Sequence, residues 1–372
     1  MHSRRFLAPL AVSAICCAAF AQPSDPNLTY AVVAGRPLML DLYRPAGQQG
    51  RTPCVIWIHG GGWSGGSRAG IPQHCQLLRQ MGFAVASVDY RLTSQAGQWG
   101  GESVTFPAQI NDVKAAVRWL RANAAQFNLD PNRFGSSGSS AGGHLSALLG
   151  MSGDVAELEG AVGEFDHLSS RTQVCSDFFG PTDLFMMNPD VTEPPGSNIN
   201  HDAPSSPESR LIGFDDANQG LGVLRDNRKN PDAPFPFYVQ LADWASPLTW
   251  IDPTDPETFI AHGEQDMSVP FHQSERLQAA LGAAGVFSEF RINPTAGHGG
   301  LGGAIEQAAA AFIFNHLRCR PDFDRDGFLT GRDFDLFVQA FEEGRGFTDM
   351  DFDGFTTGAD FDRYVQLFLI GC

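Results

Sequence analysis

Gly138-Ser139-Ser140-Ala141-Gly142 is the stretch that most constrains what this chain can fold into. It reads G-x-S-x-G, and its flanks supply a context. Residues 132–137 read as a short buried strand, and residues 143–149 as a helix of small residues. A sharp strand-to-helix turn forces its middle residue into strained backbone angles and lifts that side chain clear of the sheet. Flanking glycines lack the Cβ that would clash there. The helix N-terminus beneath offers free N–H groups and a positive dipole end to a developing oxyanion. Ser140 is therefore the candidate nucleophile. A Gly/Ser-rich turn spells the same letters, so the assignment depends on finding its partners.

The rest of the chain alternates between two patterns. Residues 30–33 and 38–43 read as a hairpin around Gly35-Arg36-Pro37. The runs at 54–58 and 83–88 are continuously apolar, as strands covered on both faces are. Further strands are expected at 174–179, 258–261 and 287–292, and helices over 71–81, 106–127, 270–284 and 304–317. The second helix carries an apolar stripe through Ile110, Val113, Val117, Leu120 and Ala124. Strands alternating with helices predict an α/β fold with a mostly parallel central sheet flanked by helices. Residues 188–256, rich in Pro, Asn and Asp, break the alternation as an insert. It is either a wall or lid over the nucleophile or a surface excursion.

Both ends of the chain differ from its body. Arg4 and Arg5, an apolar run over 6–19 and the A-x-A site Ala19-Phe20-Ala21 read as a signal peptide over 1–21, cleaved before Gln22. That run is too short to span a membrane, so a secreted, periplasmic or cell-surface protein is expected. The net charge of −17 argues against a nucleic-acid partner. From Asp322 on, twelve carboxylates face four arginines, which marks residues 319–372 as a domain separate from the body at 22–318. Removing the signal leaves Cys54, Cys75, Cys175, Cys319 and Cys372. Five is odd, so at least one thiol stays free or pairs between chains. Cys319 and Cys372 bracket the acidic tail and are expected to pair.

A serine hydroxyl needs a base, and the base needs a carboxylate to orient it. His298 stands in Ala296-Gly297-His298-Gly299-Gly300, just past the last expected strand, where a tight loop permits close approach. His144 and His316 lie on helices and read as structural. For the acid, Asp266 follows strand 258–261 and precedes a helix opened by Pro270, with Glu264 and Asp183 as rivals. The oxyanion needs fixed N–H donors. His59-Gly60-Gly61-Gly62-Trp63 leaves strand 54–58 directly, making the amides of Gly61, Gly62 and Ala141 the candidates.

These segments, with Asp89-Tyr90-Arg91-Leu92, Phe179-Gly180-Pro181-Thr182-Asp183 and residues 205–213, resemble the α/β-hydrolase esterase/lipase family with the H-G-G-G-W oxyanion motif, near its feruloyl-esterase-like and acetyl-xylan-esterase-like members. The resemblance covers roughly residues 28–318. It implies carboxylic-ester hydrolysis without a catalytic cofactor. It also puts the acid at the second acidic position of H-G-x-x-D-x-x-V-P, which is Asp266; the first is Glu264 where the family usually has Asp. A serine peptidase of the same fold and a non-catalytic scaffold with a relic triad are the rival readings.

The tail repeats itself. Asp322, Asp324, Asp326, Phe328, Thr330 and Asp333 occupy positions 1, 3, 5, 7, 9 and 12 of a loop with Gly327 at 6. Asp349, Asp351, Asp353, Phe355, Thr357 and Asp360 do the same 27 residues later, around Gly354. That is the layout of a Ca²⁺-binding EF loop, with Asp for Glu at 12 and the position-7 ligand a backbone carbonyl. Two structural Ca²⁺ ions are expected. The pair resembles a type-I dockerin repeat. Positions 10 and 11 carry Gly331-Arg332 and Gly358-Ala359 instead of the usual hydroxyl pair. A cohesin-like and another surface-anchoring partner therefore both stand open. With such a tail, the expected substrate is an acylated polysaccharide.

Overall fold

The computed structural model describes residues 22–47, 50–101, 103–191, 195–318, 321–324, 329–345, 348, 350 and 355–370. The expected signal peptide and the Cys319–Cys372 pair lie outside them.

Eight strands form one sheet: β1 (Asp25–Val33), β2 (Arg36–Tyr43), β3 (Thr52–Ile58), β4 (Ala84–Val88), β5 (Leu129–Ser139), β6 (Val174–Phe178), β7 (Glu257–Gly263) and β8 (Ser288–Asn293). Their order is β1-β2-β4-β3-β5-β6-β7-β8. The β1–β2 hairpin pairs antiparallel, and β2 joins β4 antiparallel. Every pairing from β4 to β8 is parallel. All residues of β3, β4 and β6 are buried, as helices on both faces require.

The body's helices are α1 (Gln73–Gln80), α2 (Ala108–Ala122), α3 (Ala124–Phe127), α4 (Ala141–Met151), α5 (Ala156–Glu159), α6 (Pro207–Ile212), α7 (Leu221–Asn227), α8 (Pro236–Ala245), α9 (His272–Ala284) and α10 (Gly303–Leu317). On one face α1 and α10 enclose Val55, Val174, Phe259 and Ile313. On the other α2 and α4 enclose Ile56, Ala86, Val117 and Leu145. Each fully buried aliphatic of this kind contributes about 1.5–3 kcal/mol.

Three expectations differ from what forms. The single helix over 106–127 is two, α2 and α3, because Asn123 leaves helical geometry and its side-chain amide turns back to the Trp119 carbonyl. Strand β5 starts earlier than residue 132, its Leu129 paired with Thr52. The insert is not without regular structure: α6, α7 and α8 form within it. Leu211, Ile212, Phe214, Leu221, Leu224 and Ala242 join the main core, so burial supplies the order that the local sequence pattern does not advertise.

The tail holds α11 (Gly331–Glu342) and α12 (Gly358–Ile370). Phe337, Met350 and Tyr364 are buried between them, with Phe323, Phe334, Phe341, Phe361 and Phe368 packed around. Phe337 and Tyr364 stack with ring centroids 3.7 Å apart. No described helix is long and apolar enough to cross a membrane.

Candidate active site

Four loops meet at the C-terminal ends of β3, β5, β7 and β8, where open α/β sheets bind ligands. Strand β5 delivers Ser140 at φ 56°, ψ −123°. An L-residue held there costs about 1–3 kcal/mol. The strain persists because the turn is closed on both sides. A Cβ on Gly138 would stand 2.1 Å from the Gly142 oxygen, and one on Gly142 would stand 2.1 Å from the Ile58 oxygen. The Ser140 amide donates to the Phe178 carbonyl at 2.8 Å, which fixes the turn against β6.

His298 arrives from the loop after β8. Its Nε2 lies 2.9 Å from Ser140 Oγ, and its Nδ1 lies 2.7 Å from Asp266 Oδ2. Phe179 meets the imidazole edge-on at 4.8 Å and limits its tilt. Asp266 comes from the loop after β7, with its side chain fully buried. Its Oδ1 accepts from the amides of Ser268 and Val269 at 2.7 and 3.0 Å. Burial raises the pKa of this carboxyl. The bonds from His262 and His298, the charge on His298 and the Val269 amide more than reverse that, and hold it far below the usual carboxylate range.

The rivals for the acid stand elsewhere. Asp183 caps the short turn Leu184–Met186 through the Phe185 amide, and burial raises its pKa. Glu264 is exposed beside Asp266 in the β7 loop. Neither shares a hydrogen bond with His298 among the described residues.

His59-Gly60-Gly61-Gly62-Trp63 leaves β3 and passes over Ser140. Gly61 sits at φ 120°, and a Cβ there would stand 2.4 Å from the Gly65 oxygen. The amides of Gly61 and Gly62 donate to no acceptor among the described residues. Trp63 anchors the loop: its indole N–H donates to His144 Nδ1 at 3.1 Å, and His144 Nε2–H donates to the Ala245 carbonyl at 2.6 Å. Burial, partly offset by that carbonyl, lowers the His144 pKa to about 4, so the ring is a neutral strut. At the loop's start, His59 stacks on Tyr90 at 4.4 Å while the Tyr90 hydroxyl donates to the His59 carbonyl.

A pocket of about 490 Å³ opens over these groups. The glycine loop, Ser140, Phe179 and His298 line it, and the insert contributes Ile199, Pro207 and Glu208. The arrangement can transfer a proton from a serine to an imidazole steadied by a buried carboxylate. The Gly61, Gly62 and Ala141 amides remain available to oxygen.

Sequence reasoning missed three features. His262 Nε2 donates to Asp266 Oδ2 at 3.2 Å while its Nδ1 accepts from the Ser274 hydroxyl at 2.7 Å. It opens the very H-G-x-x-D segment that carries the acid, and four-residue spacing was the available signal. Glu208 lies in the insert, inside the segment at 205–213, where the family resemblance was the available signal. A second serine–histidine–carboxylate chain, Ser137–His74–Glu306, joins residues far apart in sequence.

In the tail, Asp322, Asp324 and Asp333 bring one carboxylate oxygen each within 4.8 Å of the others. Asp333 Oδ1 accepts from the Phe323 amide at 2.8 Å, and Asp360 Oδ1 accepts from the Met350 amide at 2.6 Å. The two loops thus repeat one position-12-to-position-2 bond. Thr330 and Thr357 offer their amides to the same two aspartates, and Phe355 is exposed. Asp326, Phe328, Asp349, Asp351 and Asp353 lie outside the described residues.

Comparison with known proteins agrees on kinship. The chain is 30% identical to Esterase LipQ of Mycobacterium tuberculosis over 257 residues, which is 68% of this chain and 51% of LipQ. It thus spans about half the length of that relative. A truncated carbohydrate esterase from gut microbiota superposes with a TM-score of 0.64 at 29% identity, over 78% of this chain and 95% of that one. A bifunctional GH43-CE protein of Bacteroides eggerthii also gives 0.64, at 31% identity, over 79% of this chain and 35% of the other. The BD-FAE family model matches residues 40–281, which take in the glycine loop, the serine turn and the acid's loop. By descent as well as by architecture, the chain belongs to the BD-FAE family of α/β-hydrolase esterases.

Proposed function

We propose that this protein is a secreted serine esterase that removes acetyl or feruloyl groups from a polysaccharide through an acyl-enzyme on Ser140. The observation that carries the reading is the unbroken chain Ser140 Oγ–His298–Asp266, at 2.9 and 2.7 Å, beneath amides of Gly61 and Gly62 that have no acceptor among the described residues. Ser140 Oγ attacks the ester carbonyl as His298 Nε2 takes its proton. The carbonyl oxygen becomes an oxyanion held by the N–H groups of Gly61, Gly62 and Ala141. His298 then returns the proton to the departing alkoxide, which leaves as the alcohol. Water, giving a proton to the same nitrogen, attacks the acyl-serine, and collapse of that second adduct frees the acid and restores Ser140. Asp266 holds Nδ1 protonated throughout and offsets the imidazolium charge. The carbohydrate-esterase relatives support a polysaccharide substrate.

The test is turnover of acetylated xylan, methyl ferulate and 4-nitrophenyl acetate beside a peptide substrate. Ester hydrolysis without peptide cleavage supports the reading, and peptide cleavage favours the peptidase. No turnover of any kind leaves a scaffold.

The tail is, in our reading, a dockerin-like calcium domain that anchors the enzyme through a cohesin-like or other surface partner. The clustered oxygens of Asp322, Asp324 and Asp333 fit a hard cation such as Ca²⁺. Asp326, Thr330 and the Phe328 carbonyl would complete that loop. The second loop would use Asp349, Asp351, Asp353, Phe355, Thr357 and Asp360. A bound Ca²⁺ neutralises carboxylates that otherwise repel. Chelation with EDTA should lower the helical circular dichroism of the full chain and leave ester turnover intact. An unchanged spectrum would refute a calcium-dependent tail.

A further inference from the structure

Among the described residues, Glu208 is the one acidic side chain that the insert places in the lining of the catalytic pocket. It is 2% exposed, and its Oε2, shielded from solvent, has no hydrogen-bond partner among the described residues. Its other oxygen is occupied, since Oε1 lies 3.1 Å from Nδ1 of the equally buried His201. The position of the protons follows from the next bonds. The Ser197 hydroxyl donates to the Met267 carbonyl at 3.0 Å, so it meets His201 Nε2, 3.4 Å away, as an acceptor. Nε2 therefore carries a hydrogen, and a single further proton bridges Nδ1 and Oε1. On whichever of those two atoms it rests, none is left for Oε2. That oxygen is a pure acceptor, and a buried polar atom without a partner is costly.

We propose that Glu208 is a specificity residue, whose Oε2, covered by neighbouring atoms in this structure, turns toward the pocket to accept a hydrogen bond from a hydroxyl of the bound ester. The inference rests on the esterase reading above. The hydroxyl has two possible sources, a sugar on the alcohol side or a phenol on the acyl side. Both are hydroxyl donors, and neither is present in a simple alkanoyl ester. Pro207 stands beside Gly62, where a Cβ on that glycine would lie 3.6 Å from the proline ring. The short helix thus sets Glu208 in the pocket lining on the side of the glycine loop.

Two substrate pairs test this on the full chain. One sets acetylated xylo-oligosaccharide against 4-nitrophenyl acetate. The other sets methyl ferulate against methyl 3,4-dimethoxycinnamate, whose phenol is masked. Wild type should favour the hydroxyl-bearing member of one pair, and that pair names the side. Glu208→Gln should lower kcat/KM for that member about ten- to hundredfold, mainly through KM, as leaving a buried hydroxyl without its acceptor does. The hydroxyl-free partner should stay within about twofold. Equal losses across both members of each pair, or no loss, overturn the proposal. So does a wild type indifferent within both pairs, a result independent of how the variant folds. If wild type cleaves none of the four esters the esterase reading itself fails, whereas cleavage without a split removes Glu208 alone.

Discussion

Of the serine–histidine–carboxylate chains among the described residues, two start from serines three residues apart on the same strand and turn. In Ser140–His298–Asp266 the two links are 2.9 and 2.7 Å. In Ser137–His74–Glu306 they are also 2.9 and 2.7 Å. Hydrogen-bond geometry therefore does not separate them. Ser137 sits within β5, fully buried, and His74 is clamped between Phe178 and Trp57. Ser140 stands past the strand's end at positive φ, under a pocket and beside free amides. The lesson is that a triad is a triad by access and by where developing charge is received, not by its distances. The sealed copy ties α1 and α10 to the sheet; the open one has somewhere for a carbonyl to go.

The largest expected effect breaks the symmetry directly. Ser140→Ala should lower kcat about 10⁶-fold, as removal of a nucleophile does elsewhere. Ser137→Ala should leave kcat within about threefold while costing about 1–3 kcal/mol of stability, the cost of an unpartnered buried imidazole nitrogen. Thermal melts beside kinetics check both, and an inactive, fully stable Ser137→Ala would make the sealed chain part of the machinery. Asp266→Asn comes next, at about 10⁴ in kcat, with Glu306→Gln again felt in the melting temperature alone. Gly61→Ala should cost about 10²–10³ in kcat if that amide receives the oxyanion. An unaltered kcat in that variant removes the residue from the hole.

The smallest effect concerns an acid with no imidazole. Asp177 on β6 pairs in register with Gly138, its Oδ1 accepts from the Gly180 amide, and its Oδ2 has no partner among the described residues. Burial outweighs that one amide and pushes its pKa up to about 7 from 3.8. Between those values the folded state holds a proton that the unfolded state has released. Stability therefore falls as pH rises from about 4 to about 7. Asp177→Asn should stabilise the protein by about 2–4 kcal/mol at pH 8 and hardly at all below pH 4. Urea melts at the two pH values check the sign, and equal gains at both would show that the carboxyl is ionised throughout or not at all.

The legible parts of this protein were those in which one short segment carries both the structure and the chemistry. The serine turn, the glycine loop, and the placement of Asp266 and His298 just after strands all have local signatures of glycine spacing and apolar runs. The parallel order followed from alternation. Ser137, His74 and Glu306 have no such signature, because their contact exists only once α1 and α10 pack on the same face. His144 read as structural without its partner Ala245 in view, since 101 residues separate them. Glu208 was hidden for another reason: the insert's helices are short and take their order from burial, which no local period announces.

The His144 strut has a consequence for remodelling this enzyme. Through Trp63 and His144, the glycine loop is bolted to the last residue of α8, which is itself part of the insert. Substrate-facing loops are the natural currency of diversification within a family, yet this one is not a free cassette. An exchange with a relative that replaced Pro236–Ala245 would shift the carbonyl on which His144 rests and loosen the glycine loop from behind. A viable graft would have its downstream seam before α8, trading the segment that carries Ile199, Pro207 and Glu208 while keeping the helix on which His144 rests.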